Sequence, residues 1–267
     1  MRNFMAIRDE IYHHNLSEDG DLINFKSPYT LIKAVYYIET ASIFLFITQA
    51  FIRSPNFITM LYVTAGVVGA FLLNSEQSTL FNLGVVLVFT KGTFDWADGP
   101  LARRLNKTSF IGHAFDEYGA YVSDAAFRLA FIYYTLGHFP ELMYLFPIIA
   151  FMLLITKFSF FIDYLYFKNI VGNRLEDNDQ SHNKEFEKAI KDPKEAPFLV
   201  KWYHRYVSFL DARARSIDFL LLILVIDRAF DDNLSEILVV LSLCLISRAI
   251  IMYAASIYSA LKVYKVH

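Results

Sequence analysis

The chain has 267 residues, of which 55% are apolar and 17% aromatic, with a mean hydropathy of +0.36 and a formal net charge of −2. Such a composition excludes an ordinary soluble globular protein and places the chain in the membrane class. The near-zero net charge decides little by itself; its distribution along the chain decides more.

The first stretch, Met1 to Asp21, is charged throughout and has no apolar core, so it reads as a cytoplasmic tail and not as a cleaved signal peptide. Residues 28–52 are apolar enough to span but carry Lys33, Glu39 and Gln49, so a seventh span and a helix lying in the membrane interface are both open, and the outward run of the next span favours the interfacial helix. Together, residues 1–53 form an N-terminal tail and juxtamembrane helix. A transmembrane domain over 54–267 follows. Six apolar stretches there approach the roughly 20 residues needed to cross hydrocarbon, at about 57–73, 80–94, 111–136, 142–165, 216–232 and 236–258. The expected fold is an all-α integral membrane bundle of six transmembrane helices plus the interfacial helix.

The polar intervals alternate in charge. Asn74 to Ser78 and Gly137 to Glu141 lack Lys and Arg, whereas Arg103, Arg104 and Lys107 share one interval and many basic residues fill the insertion over 166–214. The positive-inside rule puts the basic intervals and both termini in the cytoplasm. The second half of the insertion, from Pro197, repeats Phe198, Leu199, Trp202, Tyr206, Phe209 and Leu210 at helical spacing, the pattern of an amphipathic helix on an anionic membrane face. Cys244 is the single cysteine, so no disulfide framework exists.

The chemistry concentrates in DWADGPLARRLNKTSFIGHAFDEYGA, residues 95–120. Asp95 and Asp98 lie three apart at the cytoplasmic end of the second span, and Asp116 opens the third. A carboxylate beside hydrocarbon costs several kcal/mol unless paired or metal-bound. Three converging ones imply a cation, and hard oxygen donors favour Mg²⁺ or Mn²⁺ over zinc. Gly99 and Gly112 let a phosphate approach the backbone, and Arg103 offers the forked donor that suits a diphosphate. The plainer reading has Asp95 and Asp98 capping a helix end against Arg103 and Arg104.

This stretch resembles the CDP-alcohol phosphotransferase (CDP-alcohol phosphatidyltransferase) family, whose signature is D-x2-D-G-x2-A-R-x8-G-x3-D-x3-D. Asp95, Asp98, Gly99, Ala102, Arg103, Gly112 and Asp116 stand in register with it, and SPNFIT, residues 54–59, is similar to the entry of the family's first transmembrane helix. The resemblance implies an integral, multi-pass transferase of phospholipid synthesis, of bacterial or archaeal inner-membrane type, with its active site facing the cytoplasm. It moves a substituted phosphate from a CDP-linked donor such as CDP-diacylglycerol to an alcohol or phosphorylated alcohol, releasing CMP. It further implies two divalent cations held by Asp95, Asp98 and Asp116, a nucleotide lying along Asp98, Gly99, Ala102, Arg103 and Gly112, membrane lipid as a partner and a homodimer. No nucleic acid is expected.

One position departs. The last aspartate of the signature, which in the family helps to hold metal and acts as base toward the acceptor hydroxyl, is Ala120. The same sequence would arise from an engineered substrate-trapping change, a natural lineage without that base, or a pseudoenzyme that only binds nucleotide. His113 is the best-placed substitute able to take a proton. Asp124 lies two turns past Asp116 and is expected to pair with Arg128. For the acceptor, Lys157, Arg213, Arg215 and Arg248 are basic residues that could face the site. A transporter would need repeats or broken helices, and none is visible.

Overall fold

A computed structural model describes residues 3–15, 28–155, 213–230 and 233–264. Among these residues every regular element is helical. The elements are α1 (Phe4–Asn15), α2 (Pro28–Thr48), α3 (Pro55–Leu72), α4 (Ser78–Arg104), α5 (Phe110–Gly137), a 3₁₀ turn (Pro140–Leu145) that runs into α6 (146–155), α7 (Arg213–Ala229) and α8 (Ser235–Tyr264). The chain divides into two compact units, Met1–Ala130 and Phe131–His267.

In the first unit, α3 shows why these helices belong together. Pro55 fixes its start, and its buried face reads Ile58, Thr59, Tyr62, Ala65, Gly66, Gly69 and Ala70 at helical spacing. The opposite face exposes Phe57, Met60, Val67, Val68 and Phe71, the last of these 79% exposed. Large apolar residues outside and small ones inside invert the soluble pattern and suit a helix whose outer face meets lipid. The small residues let backbones close on one another. A Cβ on Gly84 of α4 would stand 2.8 Å from the carbonyl oxygen of Gly69 and 3.0 Å from the backbone nitrogen of Leu73. Gly119 of α5 similarly clears Val63, and Gly66 clears Ser123.

Two N-terminal findings differ from the expectation. The charged tail contains α1, which buries Ile7 and Ile11 in one core with Ile38, Ala41, Leu45, Ile58, Ala97 and Leu101. Ion pairs from Arg8 to Glu39 (2.6 Å) and from Arg104 to Glu10 (3.0 Å) flank that core. The segment read as interfacial is a 21-residue helix, and Leu31–Thr48 within it is long and apolar enough to cross a membrane. Its Lys33 and Glu39 fall among polar partners: Glu39 takes Arg8, and Lys33 Nζ lies 5.4 Å from the Tyr37 ring. Along α4, Tyr37 donates to the carbonyl of Phe89 at 3.1 Å, Thr40 and Thr93 hydroxyls meet at 2.9 Å, and Phe44 packs edge-on to Phe94.

Among the described residues, α2 and α3 are the two helices that meet the length and composition of a span. Of the six expected spans, 57–73 coincides with one of these helices, α3; the other, α2, lies in the segment 28–52. The expected spans at 80–94 and 111–136 fall within α4 and α5, of 27 and 28 residues, which are long enough but carry charges along their buried faces. Within 142–165 only the 3₁₀ turn and α6 are described, and 216–232 and 236–258 overlap α7 and α8. The amphipathic pattern from Pro197 lies outside the described residues.

The second unit is organised by Asp227, fully buried near the end of α7. It accepts from Tyr134 Oη at 3.0 Å and from the backbone N–H of Leu234 at 2.8 Å, with His138 Nε2 3.4 Å away. Ser242 of α8 donates to Thr135 Oγ1 at 3.0 Å.

Because the atoms around Gly84 are backbone, they cannot yield. Gly84→Ala is expected to cost about 1–3 kcal/mol through overpacking, whereas Gly137→Ala, which meets nothing within 4 Å, stays within about 0.5 kcal/mol of the parent. Thermal unfolding of both variants in detergent checks this.

Candidate functional site

Asp98 and Asp116 open onto one cavity of about 180 Å³ in the first unit. Three elements build it. The start of α3 contributes Pro55, Asn56 and Thr59; the end of α4 contributes Asp98, Gly99, Ala102 and Arg103; the start of α5 contributes Gly112, His113 and Asp116. Lys107, Thr108 and Ser109 close it from the connecting turn.

That turn follows from one residue in the left-handed region. Asn106 has φ 51°, its N–H bonds the carbonyl of Arg103 at 3.1 Å, and Lys107 N–H bonds that of Ala102 at 2.9 Å. These are the two bonds of a Schellman stop, with Asn in the place more often held by glycine. The reversal brings Lys107 Nζ to 3.0 Å from the carbonyl oxygen of Arg53. Ser109 then caps α5, its Oγ accepting the Gly112 N–H at 3.0 Å. The cavity is thus bordered by the N-terminal turns of α3 and α5, both favourable to negative charge. Above the turn, Pro100 inside α4 gives no N–H to the carbonyl of Trp96, so one rung of the helix is missing beside the site.

Asp98 lies beyond the apolar part of α4 and is buried. Burial pushes its carboxyl up to about 7, with Asp116 and Asp95 adding to the rise. The Thr59 hydroxyl, donating to Asp98 Oδ2 at 2.7 Å, and a backbone hydrogen bond at Gly99 oppose it. Burial lowers Arg103, while Glu10 and Asp98 draw it back up.

The sequence-derived residues distribute unevenly. Asp98, Gly99, Ala102, Arg103, Gly112, His113 and Asp116 meet at the cavity. Asp95 does not line it, although its charge reaches Asp98. Three residues of helix turn about 300°, leaving the two side chains some 60° apart and one rise of about 4.5 Å out of level. Ala120 is half-buried on α5 and outside the lining. Arg248 is half-buried on α8 in the second unit. Lys157 and the side chains of Arg213 and Arg215 lie outside the described residues. Asp124 and Arg128 form the expected pair, at 2.9 Å and almost wholly buried.

Among the described residues no group of three or more His, Cys, Asp or Glu side chains is arranged to hold a metal ion. The donor chemistry nevertheless fits a hard divalent cation: two carboxylates face one small cavity, and the charge of Asp116 adds to the rise that burial imposes on the Asp98 carboxyl.

Residues 52–174 match the family model of CDP-alcohol phosphatidyltransferase. That segment, just under half of the chain, is similar to the family. It includes α3, α4, α5 and every residue lining the cavity. Comparison with curated proteins and with solved structures gives no match. The family is a membrane-set transferase class of phospholipid synthesis that uses CDP-linked donors and alcohol acceptors and generally depends on divalent metal.

Sequence reasoning passed over Asn56, Thr59, Lys107, Thr108 and Ser109. The signal for the first two was present: polar residues three apart open an otherwise apolar helix directly after Ser54 and Pro55. The turn residues gave none, because their role depends on the Asn106 geometry.

Asn106→Gly should leave stability and cavity intact, whereas Asn106→Val should cost about 1–2 kcal/mol because a β-branched residue resists the left-handed region. Unfolding midpoints of the two variants compare the outcomes.

Proposed function

We propose that this chain transfers a substituted phosphate from a CDP-linked donor to an alcohol, with release of CMP, at the cavity between α3, α4 and α5. The observation that supports this reading most is the meeting of Asp98 and Asp116 with Arg103, Lys107 and two helix N-terminal turns around one small space. Negative and positive groups are interleaved there as a metal–diphosphate ligand requires.

In this reading Asp98 and Asp116, with Asp95 adjoining, hold the divalent cation. When bound, the cation neutralises charge on the diphosphate. Arg103 and Lys107 orient the phosphate oxygens, and Gly99 and Gly112 keep room for them, since a Cβ at Gly99 would meet the Arg103 guanidinium at 3.3 Å. The acceptor hydroxyl attacks the β-phosphorus, the bond from that phosphorus to the bridging oxygen breaks, and CMP departs. His113, exposed at the cavity, takes the hydroxyl proton. Arg103, Arg104 and Lys107 support a cytoplasmic setting for this end of the bundle through the positive-inside rule. The homodimer, CDP-diacylglycerol as donor and the bacterial or archaeal setting belong to the same reading.

Ala120 favours a second reading, a nucleotide-binding protein of the same fold without turnover. CMP release with a panel of alcohols, in Mg²⁺ or Mn²⁺, separates the two. The transferase reading expects slow release that rises about 10²–10⁴-fold in Ala120→Asp, the usual worth of a positioned base. CDP-donor binding without release in either form favours the second reading, and no binding in either form removes both.

The raised carboxyl of Asp98 gives a pH signature. A cation needs the ionised form, so the proton competes below about 7 and cation-dependent CDP binding strengthens as pH rises from about 6 to about 8. Thr59→Val removes a hydrogen bond that favours the ionised carboxylate, so the rise moves to higher pH. Calorimetric titration of both proteins across this range tests it; an unmoved midpoint contradicts the assignment.

A further inference from the structure

Lys91 is a lysine in the apolar half of α4, buried to 8% exposure. Its Nζ donates to Ser123 Oγ of α5 at 2.6 Å and lies 5.7 Å from the centre of the Tyr62 ring. Gly66 makes this contact possible, since a Cβ there would collide with Ser123 Oγ. Neither the nucleotide nor the acceptor role assigned above uses Lys91.

Its place relative to the carboxylates follows from helix register. Asp98 and Asp116 share the cavity, and Lys91 and Ser123 touch. From the first pair to the second is seven residues back along α4, from 98 to 91, and seven forward along α5, from 116 to 123. One antiparallel register therefore relates both pairs, two turns or about 10 Å apart. The level between them sets Asp95, three residues from Asp98 and four from Lys91, opposite Ala120, four residues from Asp116 and three from Ser123. Three successive levels thus carry two carboxylates, one carboxylate beside a methyl group, and an ammonium.

We infer that Lys91 is a built-in counter-charge that replaces one divalent cation, so that this chain binds a single cation with its nucleotide where the complete acidic signature would bind two. The inference rests on the proposed function. With Arg103 and Lys107 matched by the diphosphate of the proposed function, four aspartates would need two divalent ions to be neutral in a low-dielectric bundle; three carboxylates less the Lys91 ammonium leave two negative charges, which one divalent ion neutralises. Lys91 is a positioning residue: it shapes the charge of the site without touching the reacting atoms.

The test counts cations. Full-length protein in detergent is titrated with Mn²⁺ at saturating CDP, and free Mn²⁺ is read by electron paramagnetic resonance. The expected result is one Mn²⁺ per chain for the parent and two, with dipolar broadening between them, for Ala120→Asp combined with Lys91→Met. Where that variant fails to fold, Ala120→Asp with Lys91→Gln, which keeps a donor for Ser123, gives the same count. Ala120→Asp with Lys91 retained is expected to stay at one Mn²⁺, whereas a purely structural lysine would let that single variant reach two, which overturns the inference. Two ions on the parent, or one on a folded double variant, overturns the inference while leaving the proposed function standing. Absence of Mn²⁺-dependent CDP binding in parent and Ala120→Asp alike overturns both.

Discussion

Ionised side chains inside an apolar helix bundle must find opposite charge or hydrogen-bond partners, because water is not there to supply them. In the first unit, α3, α4 and α5 meet that requirement with bonds between the helices and one ion pair along α5. Asp98 takes the Thr59 hydroxyl, Lys91 takes Ser123, and Asp124 is paired with Arg128 one turn further along. The glycines of α3 and α5 are subordinate to the same demand: they bring backbones close enough for short polar side chains to reach.

The site sits where this ladder of polar levels reaches the helix ends. At that end the N-terminal turns of α3 and α5, together with Arg103 and Lys107, add positive potential to a region of clustered carboxylates. The cavity is consequently ambivalent in charge, with carboxylates and cationic side chains in one lining.

Much of this could be read from residue order. Asp98, Asp116, Gly99, Ala102, Arg103 and Gly112, singled out by their spacing, line one cavity, whereas Asp95 does not, and the Asp124–Arg128 pair follows from one helical turn. Other parts could not be seen. α1 looked like a solvated tail because Ile7 and Ile11 are isolated among charges, and only packing on α2 and α4 reveals them as core. Lys33 and Glu39 suggested a helix lying flat in α2, yet a side chain's charge costs little once a partner from α1 or a neighbouring ring is beside it. Lys91 passed as an ordinary member of an apolar span because its meaning depends on Ser123, thirty-two positions away in the chain.

The missing rung at Pro100 bears on how a ligand is gripped. The last turn of α4, which carries Ala102 and Arg103, is joined to the rest of the helix across a gap in its hydrogen-bond ladder. Its far side is anchored by the Asn106 reversal and by Glu10 of α1 on Arg104. The guanidinium of Arg103 is thus carried by a turn with one backbone bond fewer to the helix behind it than an unbroken turn would have, and with its fixed points on the far side.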